Sequence, residues 1–120
     1  MATDMLWFFQ GDFMTSAAES ALAELQAGNA RYVAGERQDA QLTSGSRRNE
    51  LLAGQKPKAI ILGCSDSLVP AVLVFDQGLG DLFVIRNAGN IVAPSQIGSV
   101  EFAVEQFETP LVVVMGHTQC

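Results

Sequence analysis

With 120 residues the chain has room for one domain and a single hydrophobic core, and 48% hydrophobic against 17% charged residues excludes a disordered composition. A net charge of −6, from 7 basic and 13 acidic side chains, leaves no basic stripe to follow phosphates, so nucleic acid is not expected as a partner. No run approaches the ~20 apolar residues of a membrane span, and Met5-Leu6-Trp7-Phe8-Phe9 is too short and lacks the basic flank of a secretory signal. A cytoplasmic protein without membrane contact is expected, with its two cysteines reduced.

Residues 1–13 follow no period, and Trp7, Phe8, Phe9 and Phe13 crowd in front of Met14. Residues 1–15 therefore read as a leader that either packs on a partner subunit or precedes a natural start at Met14. Residues 16–120 read as the folded domain. Ser16-Ala17-Ala18-Glu19 has the form of a capping box, with Ser16 as the cap. The helix it opens is expected to run to about Ala27, stop at Gly28, and bury Leu22 and Leu25. Asn29 then opens a second short helix ending near Gly35. Residues 36–46 are polar and read as a loop. Arg47 to Ala53 is predicted helical, with Gly54 as its stop.

Beyond Lys58 the pattern changes. Ala59-Ile60-Ile61-Leu62-Gly63, residues 81–86 and residues 111–116 are short apolar runs that read as buried strands. Val69 to Val74 reads as one helical turn, Gln77-Gly78-Leu79-Gly80 as a turn, and Asn87-Ala88-Gly89-Asn90 as turn chemistry. Ser95 is expected to cap a helix over 96–107 that buries Ile97, Val100, Phe102 and Val104, with Pro110 beyond it. Apolar strands joined through helices predict an α/β fold: a parallel β-sheet core flanked by helices, with an N-terminal helical arm.

Ligand sites in such sheets lie beyond the carboxyl ends of the strands. Cys64 and Asp66 follow one strand there, and His117 and Cys120 follow another. Two cysteines and one histidine are a ligand set for Zn²⁺ that leaves a fourth position open for water. Asp66 would serve as a fourth ligand or stand just behind the first thiolate. A site of this kind makes hydroxide near neutral pH, which attacks a carbonyl-type carbon. Val69, Val72, Val74 and Phe83 would suit a small, uncharged substrate. Gly78-Leu79-Gly80 lacks the third glycine of a dinucleotide fingerprint, so nucleotide binding is not expected.

Cys64-Ser65-Asp66-Ser67, the stretch from Phe75 to Val84, Arg86-Asn87-Ala88-Gly89-Asn90 and His117-Thr118-Gln119-Cys120 together resemble a β-class carbonic anhydrase. The similarity runs from about Ser16 to the end and is dense after Lys58. It implies a zinc lyase that interconverts carbon dioxide and bicarbonate, with the metal on Cys64, His117 and Cys120. It also implies that Asp66 either binds the metal in a closed form or swings away in an open one. Gln77 would help to position substrate, and the enzyme would work as a homodimer or homotetramer through its N-terminal helices.

The chain departs from that pattern twice. The family's loop reads Cys-Ser-Asp-Ser-Arg, and Leu68 stands where the Arg belongs. In the family that Arg holds the Asp off the metal, so Leu68 predicts a closed four-ligand state and weak hydration. Family members also continue for many tens of residues past the last Cys, so one sheet face is expected to be uncovered and the Cys120 carboxylate to compete as a ligand.

Less specific roles stand beside these. The two thiols could be buried core residues or a redox pair. Asp66 could serve only as a turn former, and Gln77 only as a turn residue. Arg86 is expected to pair with Asp76, Asp81 or a partner's acid. A zinc-binding pseudoenzyme is the second functional reading.

Overall fold

The computed structural model describes the backbone of residues 6–7 and all of residues 14–38 and 43–120. In chain order the elements are β1 (Leu6–Trp7), α1 (Ser16–Ala34), α2 (Gly45–Glu50) with a 3₁₀ turn (Leu51–Ala53), and β2 (Ala59–Cys64). They continue with α3 (Ala71–Val74), β3 (Leu82–Asn87), a 3₁₀ turn (Ala88–Asn90), α4 (Pro94–Phe107) and β4 (Val112–Met115). The sheet order is β1-β4-β2-β3. β2 pairs in parallel with both neighbours, Leu62 opposite Ile85 on one side and Val114 on the other. This is the expected parallel α/β core, to which β1 adds one short antiparallel pairing along β4. The leader's remaining residues, 1–5 and 8–13, lie outside the described residues, as does 39–42 of the expected loop.

β2 is the middle of the molecule, with all six of its residues buried. Strand pleating sends alternate side chains to opposite faces. Ala59 and Ile61 pack with Val113, Met115 and Phe75 under the α1 residues Ala18, Ala21, Leu22 and Leu25. Ile60 and Leu62 pack on the other face with Ile85 and Ala103 of α4.

The α1 boundaries differ from the sequence expectation at both ends. Thr15, one residue before the predicted cap, is extended at ψ 161° and its Oγ1 accepts the Ala18 N–H at 3.2 Å. Ser16 is already helical. The helix runs through Gly28 without stopping, and Asn29 to Ala34 continue it rather than forming a second helix. Gly28 is a contact glycine: a Cβ there would lie 1.7 Å from the Phe75 carbonyl oxygen. The true stop is Gly35, left-handed at φ 73°, whose N–H reaches back to the carbonyls of Arg31 and Tyr32.

Two smaller corrections follow the same logic. α2 starts at Gly45 because the Ser44 side chain caps the Arg47 N–H, and its last residues tighten to 3₁₀. α4 starts two residues early, with Pro94 at its first turn, so Ser95 lies inside the helix and is not its cap. Of the four residues expected to be buried on α4, only Val100 packs against the core. Ile97, Phe102 and Val104 are exposed, at 46%, 51% and 44%. β3 and β4 are covered only in part, with Val84 and Val112 exposed. Double cover therefore holds for β2 alone.

Candidate metal centre

Cys64 is the last residue of β2, and its neighbour in the ladder is Asn87. The chain then turns, yet Ser65 N–H still reaches the Asn87 carbonyl at 2.8 Å, which carries the pairing one step past the strand. Asn87 folds the next turn with its own side chain: Oδ1 accepts the Ile91 N–H and Nδ2 donates to the Ile91 carbonyl, both at 2.7 Å. Inside that turn Gly89 is left-handed at φ 78°. This conformation, natural for glycine, accompanies an N–H that meets Cys64 Sγ at 3.3 Å. A second main-chain donor, Asp66 N–H, meets the same sulfur at 3.4 Å.

β4 brings the other two residues. After Met115 the chain leaves the sheet beside Cys64 and places His117 there. Gln119 then takes a left-handed conformation, φ 58°, at the turn before Cys120. Such a backbone costs a non-glycine residue about 1 kcal/mol. Cys120 Sγ ends 3.9 Å from Cys64 Sγ. One ligand atom each from Cys64, His117 and Cys120 lies within 4.8 Å of the others.

This donor set fits a tetrahedral ion. Two sulfurs at ~2.3 Å from one zinc stand about 3.8 Å apart in a tetrahedron, close to the 3.9 Å found. His117 Nδ1 lies 2.9 Å from the Thr118 carbonyl, which assigns the ring proton to Nδ1. Nε2 is then the lone-pair nitrogen, and it is buried without a hydrogen-bond partner. A buried acceptor left unpaired costs ~1–3 kcal/mol, and a metal would satisfy it.

The charge state of the group suits the same purpose. The His117 ring beside it, with the Asp66 and Gly89 N–H groups, draws the Cys64 thiol down to about 6 against the opposing effect of burial. His117 is raised, first by Cys64 and then by the Thr118 carbonyl. Cys120 is raised, chiefly by the Cys64 sulfur and by burial. At neutral pH Cys64 is thus the group's thiolate, held by two main-chain N–H groups.

Asp66 stands outside this group. Its Oδ1 accepts the Leu68 N–H at 2.8 Å, a turn-forming bond. Leu68 itself is 62% exposed. Arg86, expected to pair with an acid, instead spans the loop's main chain: Nε donates to the Cys64 carbonyl at 2.9 Å and Nη2 to the Asp66 carbonyl at 2.6 Å. Arg86, Asn87 and Gly89 are the residues whose part the sequence did not disclose. Their turn chemistry was visible in Arg86-Asn87-Ala88-Gly89-Asn90, but not that its donors aim at Cys64.

Gln77 lies elsewhere. It is buried against α1, and Nε2 donates to the Phe75 and Asp76 carbonyls at 3.0 and 3.3 Å. It borders a cavity of about 270 Å³ with Arg31, Gln38, Lys58, Asp76 and Asp81. That cavity is at the amino end of β2, where the Lys58 N–H meets the Asp81 carbonyl, whereas Cys64 ends the strand. Phe83 is also remote, its ring tilted against those of Phe102 and Phe107 on α4. Val69 and Val74 belong to the buried cluster that includes Cys64.

A family model described as carbonic anhydrase matches residues 59–120, the whole span from the first parallel strand to Cys120. The chain belongs to the β-carbonic anhydrase family. It is 50% identical over 96 residues to carbonic anhydrase 2 of Mycobacterium tuberculosis, across 80% of this chain and 46% of that one. Its fold superposes on the β-carbonic anhydrase CafA of Aspergillus fumigatus with a TM-score of 0.60 at 30% identity, covering 85% of this chain and 47% of that one. It is similar also to a tetrameric β-carbonic anhydrase of Sordaria macrospora, with a TM-score of 0.55 at 30% identity over 80% of this chain and 46% of that one. The chain thus spans about half the length of the family members it matches. Among the described residues no helix is long and apolar enough to cross a membrane.

Proposed function

We propose that this chain carries the zinc site of a lyase that reversibly hydrates carbon dioxide to bicarbonate and a proton. The observation that carries the reading is the meeting of two sulfurs and one unpartnered imidazole nitrogen at the ends of β2 and β4. Cys64, His117 and Cys120 would hold the ion, His117 through Nε2. Bound there, zinc would supply a water acidic enough to act as hydroxide near neutral pH.

The chain's own groups do the rest. The two thiolates offset the charge of the dication. Main-chain N–H groups of Asp66 and Gly89 hold the Cys64 sulfur in place. Asp66, two residues beyond Cys64, would act as a hydrogen-bond acceptor at the site in an open form, or would close it as a fourth ligand. Val69, buried in the cluster that includes Cys64, would supply an apolar wall. Gln77, at the far end of β2, takes part in positioning substrate only when a second copy delivers it, in a homodimer or homotetramer. Metal ligation needs reduced thiols, which the cytoplasm maintains.

One observation favours a second reading, a zinc-binding chain with little turnover: position 68 carries an exposed leucine with no charge to hold Asp66. Two measurements on the same purified protein decide. Elemental analysis under reducing conditions is expected to give one zinc per chain, and stopped-flow hydration is expected to exceed the uncatalysed rate. Zinc without turnover selects the second reading. A Cys64–Cys120 disulfide without metal overturns both.

A further inference from the structure

Arg86 sits on β3 opposite Gly63, one residue before the ladder reaches Cys64. Its side chain extends past the end of β2 and grips the loop that follows. Three bonds tie this loop to β3: Ser65 N–H to the Asn87 carbonyl, and the two guanidinium bonds to the Cys64 and Asp66 carbonyls. Both main-chain groups of Asp66 are thereby held, its N–H by Cys64 Sγ and its carbonyl by Arg86. With the backbone pinned, the carboxylate is placed on the Leu68 N–H, outside the metal group. A guanidinium is suited to this because its donors form a rigid fork that spans two acceptors at once.

We propose that Arg86 is the positioning residue that keeps Asp66 off the metal in a chain whose position 68 lacks the family's arginine. The inference rests on the metal-site reading and extends it. Leu68 contributes only its main-chain N–H, and Arg86 sets the loop so that this N–H is where Asp66 finds it. Without the fork the Asp66 carbonyl keeps only the Val69 N–H, at 3.2 Å, the loop loosens, and the carboxylate turns to the dication.

The test uses the cobalt(II)-loaded chain, whose visible spectrum reports the number and kind of ligands. The probe is azide, which binds only at an open fourth position. The unmodified protein is expected to shift its spectrum on azide addition. Arg86→Gln is expected to bind azide about 10–100-fold more weakly, the usual effect of losing a group that orients a metal ligand. Asp66→Asn added to Arg86→Gln is expected to restore the response. Arg86→Lys, which reaches one carbonyl rather than two, is expected to fall between. Hydrogen exchange on the metal-free proteins supplies an independent reading: the Leu68 amide is expected to exchange faster in Arg86→Gln and in Arg86→Lys than in the parent.

Equal azide affinity in parent and Arg86→Gln overturns the proposal and leaves the metal site standing, as does a double variant that stays unresponsive. Failure of the unmodified chain to bind cobalt overturns the metal site and this proposal together. If Arg86→Gln does not fold, Arg86→Lys decides alone: an azide affinity and Leu68 exchange rate equal to the parent's overturn the proposal.

Discussion

The two ends of β2 hold two clusters of ionisable groups, and they differ in one respect. At the amino end every carboxylate is answered. Asp76, 2% exposed, takes the Arg31 guanidinium at 2.6 Å and the Gln38 N–H at 3.1 Å. Asp81 takes the Gly78 N–H at 2.8 Å, the Arg47 guanidinium and the Lys58 ammonium. At the carboxyl end the groups are close and less fully answered: Cys64 Sγ has two main-chain N–H groups, but the two sulfurs lie 3.9 Å apart and an imidazole nitrogen is buried with no partner. Saturated polar groups hold structure together, whereas convergent unsaturated ones await a ligand. The contrast separates a structural cluster from a functional one better than burial does, since the more deeply buried residue, Asp76, belongs to the structural end.

The largest effect that would sharpen the comparison is at the carboxyl end. Cys64→Ser is expected to weaken zinc binding by more than the roughly 10–100-fold that outer partners cost, while thermal unfolding of the metal-free chain changes little. Competition with a chromophoric chelator measures the first and calorimetry the second. A variant that still binds zinc at parental affinity would dissolve the distinction.

Near the amino end the order reverses. Gly28→Ala places a methyl group where the Phe75 carbonyl already lies, and overpacking of this severity is expected to cost about 3 kcal/mol in denaturant unfolding. Asp76→Asn removes the charge that faces Arg31, with an expected loss of about 2 kcal/mol. In both, any chain that remains folded should bind zinc as the parent does. Loss of metal from the folded fraction would show that the two ends are not independent.

The pH dependence of zinc binding tests the charge assignment. Metal replaces protons on its ligands. Cys64, lowered to about 6, is already a thiolate at pH 7 and releases nothing there. Cys120 is raised above the ordinary thiol range, so its proton persists through neutrality and must leave. Affinity is therefore expected to climb between pH 6 and 9 by about tenfold per unit for each proton displaced. Titration calorimetry in buffers of different ionisation enthalpy counts those protons, and a flat profile above pH 7 would reverse the assignment.

The smallest expected effect belongs to Leu68→Arg. Because Asp66 already has the Leu68 N–H and a pinned backbone, a new guanidinium is expected to raise hydration by no more than about threefold, the worth of a modest exposed charge pair. A much larger gain would show that Leu68, unaided by Arg86, holds the site closed.

Much of this architecture was legible in the chain. The three apolar runs became three parallel strands because uninterrupted Val, Ile and Leu suit a strand in the interior of a sheet. Cys64, His117 and Cys120 stood out because each closes or follows one of those runs. Glycine was less transparent. Gly28 and Gly35 look alike in sequence, yet one continues a helix against a carbonyl and the other ends it in a left-handed turn. α4 misled for a related reason: its apolar residues surround it, and only the packing shows that Ala103 faces the core while Phe102 and Val104 face outward.

By itself, then, the order of residues determined the strand sequence, the parallel class and the three donors, because these depend on local hydrophobicity and on donor type. Only the tertiary structure decided that Asp66 turns to Leu68, that Arg86 grips two carbonyls, and that Gln77 sits at the far end of the sheet. Those outcomes depend on distances between groups remote in the chain, and the register of β2 against β3 and β4 sets those distances.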